Sequence, residues 1–217
     1  MPEFTAWPKT LRLYRDIIVT EKIDGTNAGI HIEKLGDVAD TYPDVPGLAN
    51  SGAVMVGHDL YRLTAQSRKR LIYPGKDGVE DNFGFAGWVR ENGAALVDAL
   101  GEGLHFGEWW GHGIQRGYGL PAGERRFSLF NTDRHKNLFR EIGGVRVERV
   151  PVLYHGMFSD REIRGALADL AYNGSVAAPG FMNPEGVCVW HSQTRSVFKV
   201  TLDNNDAGKW EQVADEG

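Results

Sequence analysis

The residues best suited to chemistry in this chain sit in the run EKIDGTN, Glu21 to Asn27, where Lys22 and Asp24 are separated by a single residue. A lysine is a poor nucleophile while protonated. At the rim of a cleft, partly desolvated and near other cations, its pKa falls and the amine can attack phosphorus. A second candidate is Glu108 in LHFGEWWGHGIQRGYG, Leu104 to Gly119. Its ionised carboxylate only accepts hydrogen bonds, and the glycines around it let a ligand approach the backbone closely. Two more lie near the end of the chain, Glu185 in PEGVCVWH and Lys199 in RSVFKVTLDN. Taken singly, each has a plain reading as well. A four-residue K-x-D-G arises by chance, and a lysine on an edge strand also guards against aggregation.

The elements that must hold these residues are mostly strands. Ile17, Ile18 and Val19 form a β-branched run that reads as a strand ending at Lys22, with Asp24-Gly25 as a tight turn into a second strand over Ala28–Ile32. Arg125 to Arg134 and Val145 to Leu153 also read as strands. Pro184–His191 and Arg195–Asn204 read as a hairpin, in which period-two alternation sets Phe198, Val200 and Leu202 on one face and Val197, Lys199 and Thr201 on the other. Two stretches have helical spacing. Phe85 to Leu100 is one, with Gly93 in its middle; the other begins at Ser159, whose spacing to Glu162 is that of a capping box, and ends at Asn173-Gly174. Lys34 to Gly52 reads as a loop.

The bulk numbers narrow the class. A chain of 217 residues, 41% hydrophobic and 24% charged, has the composition of a soluble globule, and no apolar stretch approaches a membrane span. Its one cysteine, Cys188, makes no intramolecular disulfide, which fits a reducing, cytoplasmic location. A net charge of -5 argues against gripping nucleic acid by bulk electrostatics and leaves local clusters such as Arg68-Lys69-Arg70 and Arg125-Arg126. His58, His105 and His112 fit no common metal-site spacing.

The EKIDGTN run resembles the nucleotidyl-transferase motif of ATP-dependent ligases and capping enzymes, whose lysine becomes linked to a nucleoside monophosphate. The Thr26-Asn27 continuation is more similar to RNA ligases of the T4 RNA ligase 2 type than to DNA ligases. Partner motifs follow in the family's order. Arg68 fits the arginine that holds the nucleotide ribose and helps orient the RNA end, with Arg70 as the alternative; Glu108 fits the glutamate that accepts from ribose hydroxyls; Phe130 fits the aromatic stacked on the purine, leaving Phe127 for the core. Glu185 and Lys199 fit the fourth and fifth motifs. Asn131 stands where many relatives have aspartate, and Thr201 where most have a second lysine, a cation Lys209 would replace.

The resemblance implies an α+β nucleotidyltransferase domain over residues 1–217, two mostly antiparallel sheets with flanking helices around a nucleotide cleft, without an OB-fold or C-terminal accessory domain. It further implies ATP-dependent sealing of RNA 5′-phosphate and 3′-OH ends through lysyl-AMP and RNA-adenylate. Lys22, Asp24, Glu185 and Lys199 are the expected catalytic set. Glu21, Asn27, Arg68, Glu108 and Phe130 are expected to bind the nucleotide, and Asp24 and Glu185 to hold Mg²⁺ or Mn²⁺ largely through water. Expected partners are RNA ends, nicked or single-stranded, and a protein in place of a second domain; a bacteriophage or bacterial RNA-repair setting follows by analogy. A minimal DNA ligase, a GTP-using capping enzyme and a non-catalytic nucleotide-binding module are the alternatives.

Overall fold

The computed structural model describes residues 3–37, 52–75 and 80–203. Most of the loop expected from Lys34 to Gly52, part of the segment following Arg68, and Lys209 lie outside them. The chain runs through β1 (Asp16–Lys22), β2 (Thr26–Asp37), β3 (Ala53–Val56), β4 (Asp59–Ser67) and β5 (Leu71–Ile72) to the helices α1 (Phe85–Glu91) and α2 (Gly93–Leu100). Strands β6 (Gly103–Gly111), β7 (Arg125–Leu129), β8 (Phe139–Ile142), β9 (Val145–Arg149) and β10 (Val152–Met157) lead to α3 (Asp160–Asn173). The strands β11 (Gly186–His191) and β12 (Ser196–Thr201) follow.

These elements form two compact units, Met1–Lys22 with Pro151–Gly217, and Ile23–Val150. In the first, a four-stranded antiparallel sheet has the order β10-β1-β11-β12. Helix α3 covers one face, where Ile163, Ala166 and Leu170 pack on Ile17, Val19, Val187 and Val189. The helix starts as its sequence requires: the Ser159 side chain accepts the Glu162 N–H, and Gly174 closes it with φ 81°. In the second unit the sheet order is β3-β4-β2-β6-β7-β9-β8, with β5 on β4, all antiparallel except β7 with β9. Its core is aromatic, with Trp88 stacked on Trp109 at 5.2 Å between centroids and Phe85 and Phe127 completing the cluster. The protein is thus α+β with two largely antiparallel sheets. No helix among the described residues is long and apolar enough to cross a membrane.

Three expectations about local structure are corrected. Strands β1 and β2 do not pair as a hairpin, because β10 and β11 occupy both edges of β1 while β4 and β6 occupy those of β2. Gly25 accordingly lacks the positive φ a two-residue hairpin turn needs. The helix expected over Phe85 to Leu100 is two helices. Asn92 leaves the helical region (φ -115°, ψ 20°), and a Cβ on Gly93 would come within 3.3 Å of Val54. The run Val145 to Leu153 is split between the two sheets, and the break falls at Pro151, which has no N–H to continue a ladder.

One buried polar pair sits beside the second core. His105 Nε2 lies 2.9 Å from the Gly101 carbonyl, which only accepts, so Nε2 carries the proton and Nδ1 accepts from His135 Nε2 at 3.4 Å. Burial, reinforced by His105 and Arg134, lowers the His135 pKa to about 4, and burial lowers that of His105 too. In the unfolded chain both return toward 6.5, so between these values the unfolded state binds more protons and stability falls as pH falls. The loss at pH 4 from His135 alone is roughly 3 kcal/mol. Urea midpoints measured from pH 7 to 4 should drop along this window. A His135→Leu protein should show a shallower slope there, and an unchanged slope would contradict the assignment.

Candidate functional site

The residues singled out for chemistry fall on both units, and each group is built by its own sheet. In the first unit, strand register decides which side chains share a face. Lys22 lies opposite Gly186, which lies opposite Thr201; Thr20 lies opposite Cys188, which lies opposite Lys199. Alternation then puts Lys22 and Lys199 on the same face, and the apolar residues between them on the α3 side. Lys22 Nζ donates to Glu185 Oε2 at 2.6 Å, with the two side chains 25% and 16% exposed. The pair is therefore partly shielded from water yet accessible. Glu185 is set by the start of β11, since its carbonyl accepts from Leu202 N–H. Gly186 has φ 148°, and a Cβ there would collide with the Val200 carbonyl oxygen. That is why glycine follows the glutamate.

Glu21 points the other way along the strand. Its carboxylate is buried, and it accepts from Ser175 Oγ at 2.5 Å and from the Val176 and Ala177 backbone N–H groups at 2.9 Å each. Ser175 Oγ in turn accepts from Ala178 N–H. The residue thus anchors the chain that follows α3. Burial raises its pKa, against the lowering effect of the three donors.

In the second unit, the Asp-Gly part of the motif is held by the glycine-rich segment. Asp24 N–H donates to Tyr118 Oη at 2.9 Å, and Arg116 Nε donates to Asp24 Oδ2 at 3.0 Å. Gly25 N–H donates to Glu108 Oε1 at 3.1 Å. A Cβ on Gly25 would lie 2.6 Å from the Trp109 carbonyl oxygen and 2.7 Å from Trp110 Cβ, so this glycine serves close approach rather than a turn. Thr26 Oγ1 donates to Asn82 Oδ1, and Asn82 Nδ2 to the Asn27 carbonyl. Tyr118 is a buried non-glycine residue at φ 51°, held there with its ring 5.0 Å from that of Trp110.

Asn27, Glu108 and Ser128 are cross-strand neighbours on one row of the sheet. Phe130 follows the end of β7 and is 42% exposed, whereas Phe127 is fully buried. Asn131 Oδ1 accepts the Arg134 N–H, a task an aspartate there would also perform. Arg68 stands exposed just beyond Ser67 on the turn closed by Arg70. The sequence analysis singled out neither Tyr118 nor Arg116 as an anchor of this turn. The available signal was their placement between glycines in IQRGYG, where few residues could have a structural task.

For a divalent cation, Asp24 and Glu185 supply carboxylate oxygen, the donor type that Mg²⁺ and Mn²⁺ prefer. The described residues contain no cluster of three or more His, Cys, Asp or Glu able to cage an ion. Each carboxylate by itself suits an ion that keeps most of its water.

A model of the RNA ligase family matches residues 15–201 of this chain. No curated protein matches it. Among solved structures, a Naegleria gruberi RNA ligase variant with ATP and Mn superposes with a TM-score of 0.50 at 14% identity, covering 87% of this chain and 49% of that one. A second variant of the same enzyme, also with ATP and Mn, gives 0.51 at 16% identity, covering 88% and 52%. These likenesses are of fold, and the chain spans about half the length of the solved structures it matches.

Proposed function

Because the chain belongs to the RNA ligase family, we propose that it is an ATP-dependent RNA ligase of the T4 RNA ligase 2 type, with residues 1–217 serving as the nucleotidyltransferase domain. The observation that carries the reading is the Lys22–Glu185 pair, partly shielded on the sheet face that also bears Lys199. A lysine so placed is held in one position by its carboxylate while staying open to a substrate.

In the first step the Lys22 amine forms a bond to the α-phosphorus of ATP, and the bond to the bridging oxygen of pyrophosphate breaks. The ammonium first loses a proton to solvent, and Glu185, already hydrogen-bonded to it, orients the nitrogen for attack. Lys199 supplies positive charge to the α-phosphate, a preorganised contribution of ~3 kcal/mol where water is scarce. Glu185 and Asp24 would hold a Mg²⁺ or Mn²⁺ largely through water, and the ion would supply charge neutralisation at the phosphate oxygens. Arg116 and Tyr118 fix Asp24, and Glu108 fixes Gly25, so the motif's backbone is rigid before substrate arrives. Glu108 and Asn27 bind the ribose side of the nucleotide, Phe130 stacks on the base, and Arg68 meets the ribose and the RNA end. Glu21 contributes by fixing the strand that carries Lys22. The adenylate then passes to an RNA 5′-phosphate, and an RNA 3′-OH displaces AMP to seal the strand.

The test is mass spectrometry of the protein after incubation with ATP and Mg²⁺ or Mn²⁺, followed by addition of 5′-phosphorylated RNA. The expected result is one AMP on the Lys22 peptide, lost when RNA is added and recovered as a 5′-adenylated or sealed strand. Transfer to DNA nicks alone would instead favour a minimal DNA ligase. Labelling by GTP alone would favour a capping-type enzyme, and no adduct at all a binding module.

A further inference from the structure

We propose that the open face of the first unit's sheet continues past Lys199 as a docking surface for a single strand of RNA, with Trp190 the residue on which a nucleotide stacks; the inference rests on the RNA-ligase reading above. The geometry comes from three rungs of that sheet. Lys22, Gly186 and Thr201 form the first rung, and Thr20, Cys188 and Lys199 the second. Ile18, Trp190 and Val197 form the third, with His155 on the far side of Ile18. Residues two apart on a strand share a face, so Trp190 stands on the side that bears Lys22 and Lys199, one rung beyond the proposed α-phosphate site. A rung is ~6.8 Å along the strand, the reach of one extended nucleotide.

Exposure separates this tryptophan from the core. The opposite face of the same strands is closed, with Ile17, Val19, Val187 and Val189 buried under α3. On the face that α3 does not cover, Trp190 is 37% exposed and Val197 61%. A large indole left open to water offers a base a stacking surface, and such stacking tolerates any sequence because every base has a π-face. Charge continues in the same direction. Past Trp190 the β11–β12 turn carries exposed Arg195, and the segment before β1 is pinned to that turn. Arg12 N–H donates to Gln193 Oε1 at 2.6 Å, and His191 Nε2 donates to the Leu13 carbonyl at 2.8 Å. The pinned segment bears Lys9, Arg12 and Arg15 beside exposed Trp7 and Tyr14. The acidic residues of that segment and of the start of β1 are Glu3 and Asp16, so this end of a chain of net charge -5 is locally positive. Cations interleaved with aromatic rings match the phosphates and bases of a single strand. A second copy docking through the same patch would set these cations against their own kind.

The experiment uses the full chain, ATP and a 5′-phosphorylated single-stranded RNA oligonucleotide, and measures adduct formation and transfer of AMP to RNA as separate steps. Trp190→Ala should form the adduct with an unchanged KM for ATP, and should raise KM for RNA in the transfer step about tenfold. Trp190→Phe should recover most of that loss. Arg12→Ala combined with Arg195→Ala should weaken RNA binding at low salt and make its salt dependence shallower. Wild type that forms no adduct, or never passes it to RNA, would sink the ligase reading and this inference with it. If wild type seals or adenylates RNA and Trp190→Ala does so with the same KM, the docking surface is wrong while the reading stands. Loss of adduct formation and of transfer in equal proportion would make Trp190 a structural residue and overturn the proposal. So would a wild-type dimer that Trp190→Ala splits with RNA transfer unchanged, since a second copy would then cover the surface.

Discussion

Lys22→Ala protein incubated with α-labelled ATP and a divalent cation should carry no covalent label, while wild type carries one nucleotide per chain. The expected effect is complete, because the amine itself is the proposed nucleophile and its partner in the described structure is a carboxylate, Glu185. Lys22→Arg should be as inactive, since a guanidinium keeps its proton at any working pH. Glu185→Gln should retain slow labelling, as it removes the charge beside the amine while leaving the nucleophile. The alanine protein should still bind ATP, which separates loss of chemistry from loss of fold. Label retained by that protein would place the nucleophile elsewhere and remove the basis of the proposed reaction.

The second large effect is on stability. Glu21→Ala should lower the thermal midpoint by about 10 °C, corresponding to roughly 3–5 kcal/mol. Its three donors, Ser175 Oγ, Val176 N–H and Ala177 N–H, are held by the one carboxylate in a buried setting. Removing it leaves them without that acceptor and opens a space beside the strand that carries Lys22. Glu21→Gln should lose less, as its amide oxygen can still accept. The pH dependence has the opposite sign to that of His135. With the folded pKa raised above the ordinary 4.5, the native state binds more protons between the two values, so this group favours folding as pH falls through that interval. Should Glu21→Ala melt within a degree or two of wild type while losing nucleotide affinity, its carboxylate would be a ligand contact, as the family resemblance implies.

Glu21 also shows what a sequence exposes and what it hides. Its place in the EKIDGTN motif puts it among the expected nucleotide contacts, and nothing local says that its carboxylate accepts from a donor 154 residues later in the chain. The same limit explains the β1–β2 correction. Alternation and β-branching identify Ile17 to Val19 as strand, but a strand has two edges, and which strands fill them is settled by distant segments. Where the governing contacts are local, the reading holds. Ser159 and Glu162 define the start of α3 within four residues, and the β11–β12 hairpin pairs in the register that sets Lys199 apart from Val200. Phe127 and Phe130 differ by three positions along a strand ending between them, so opposite environments follow from the pleat. Tyr118 escaped notice because its φ of 51° follows no residue preference and is imposed by its packing.

The division of the polypeptide has a consequence for how it is made. The second unit is a continuous segment, Ile23–Val150, whereas the first unites Met1–Lys22 with residues from Pro151 onward. During translation the inner segment can complete its sheet as it leaves the ribosome, since every strand it needs has already emerged. Strand β1, although synthesised early, must wait for β10 and β11 before either of its edges is filled. Its lysine, born among the first two dozen residues, reaches Glu185 only when synthesis has passed position 185, so this ion pair forms late, after the whole of the continuous unit has been synthesised.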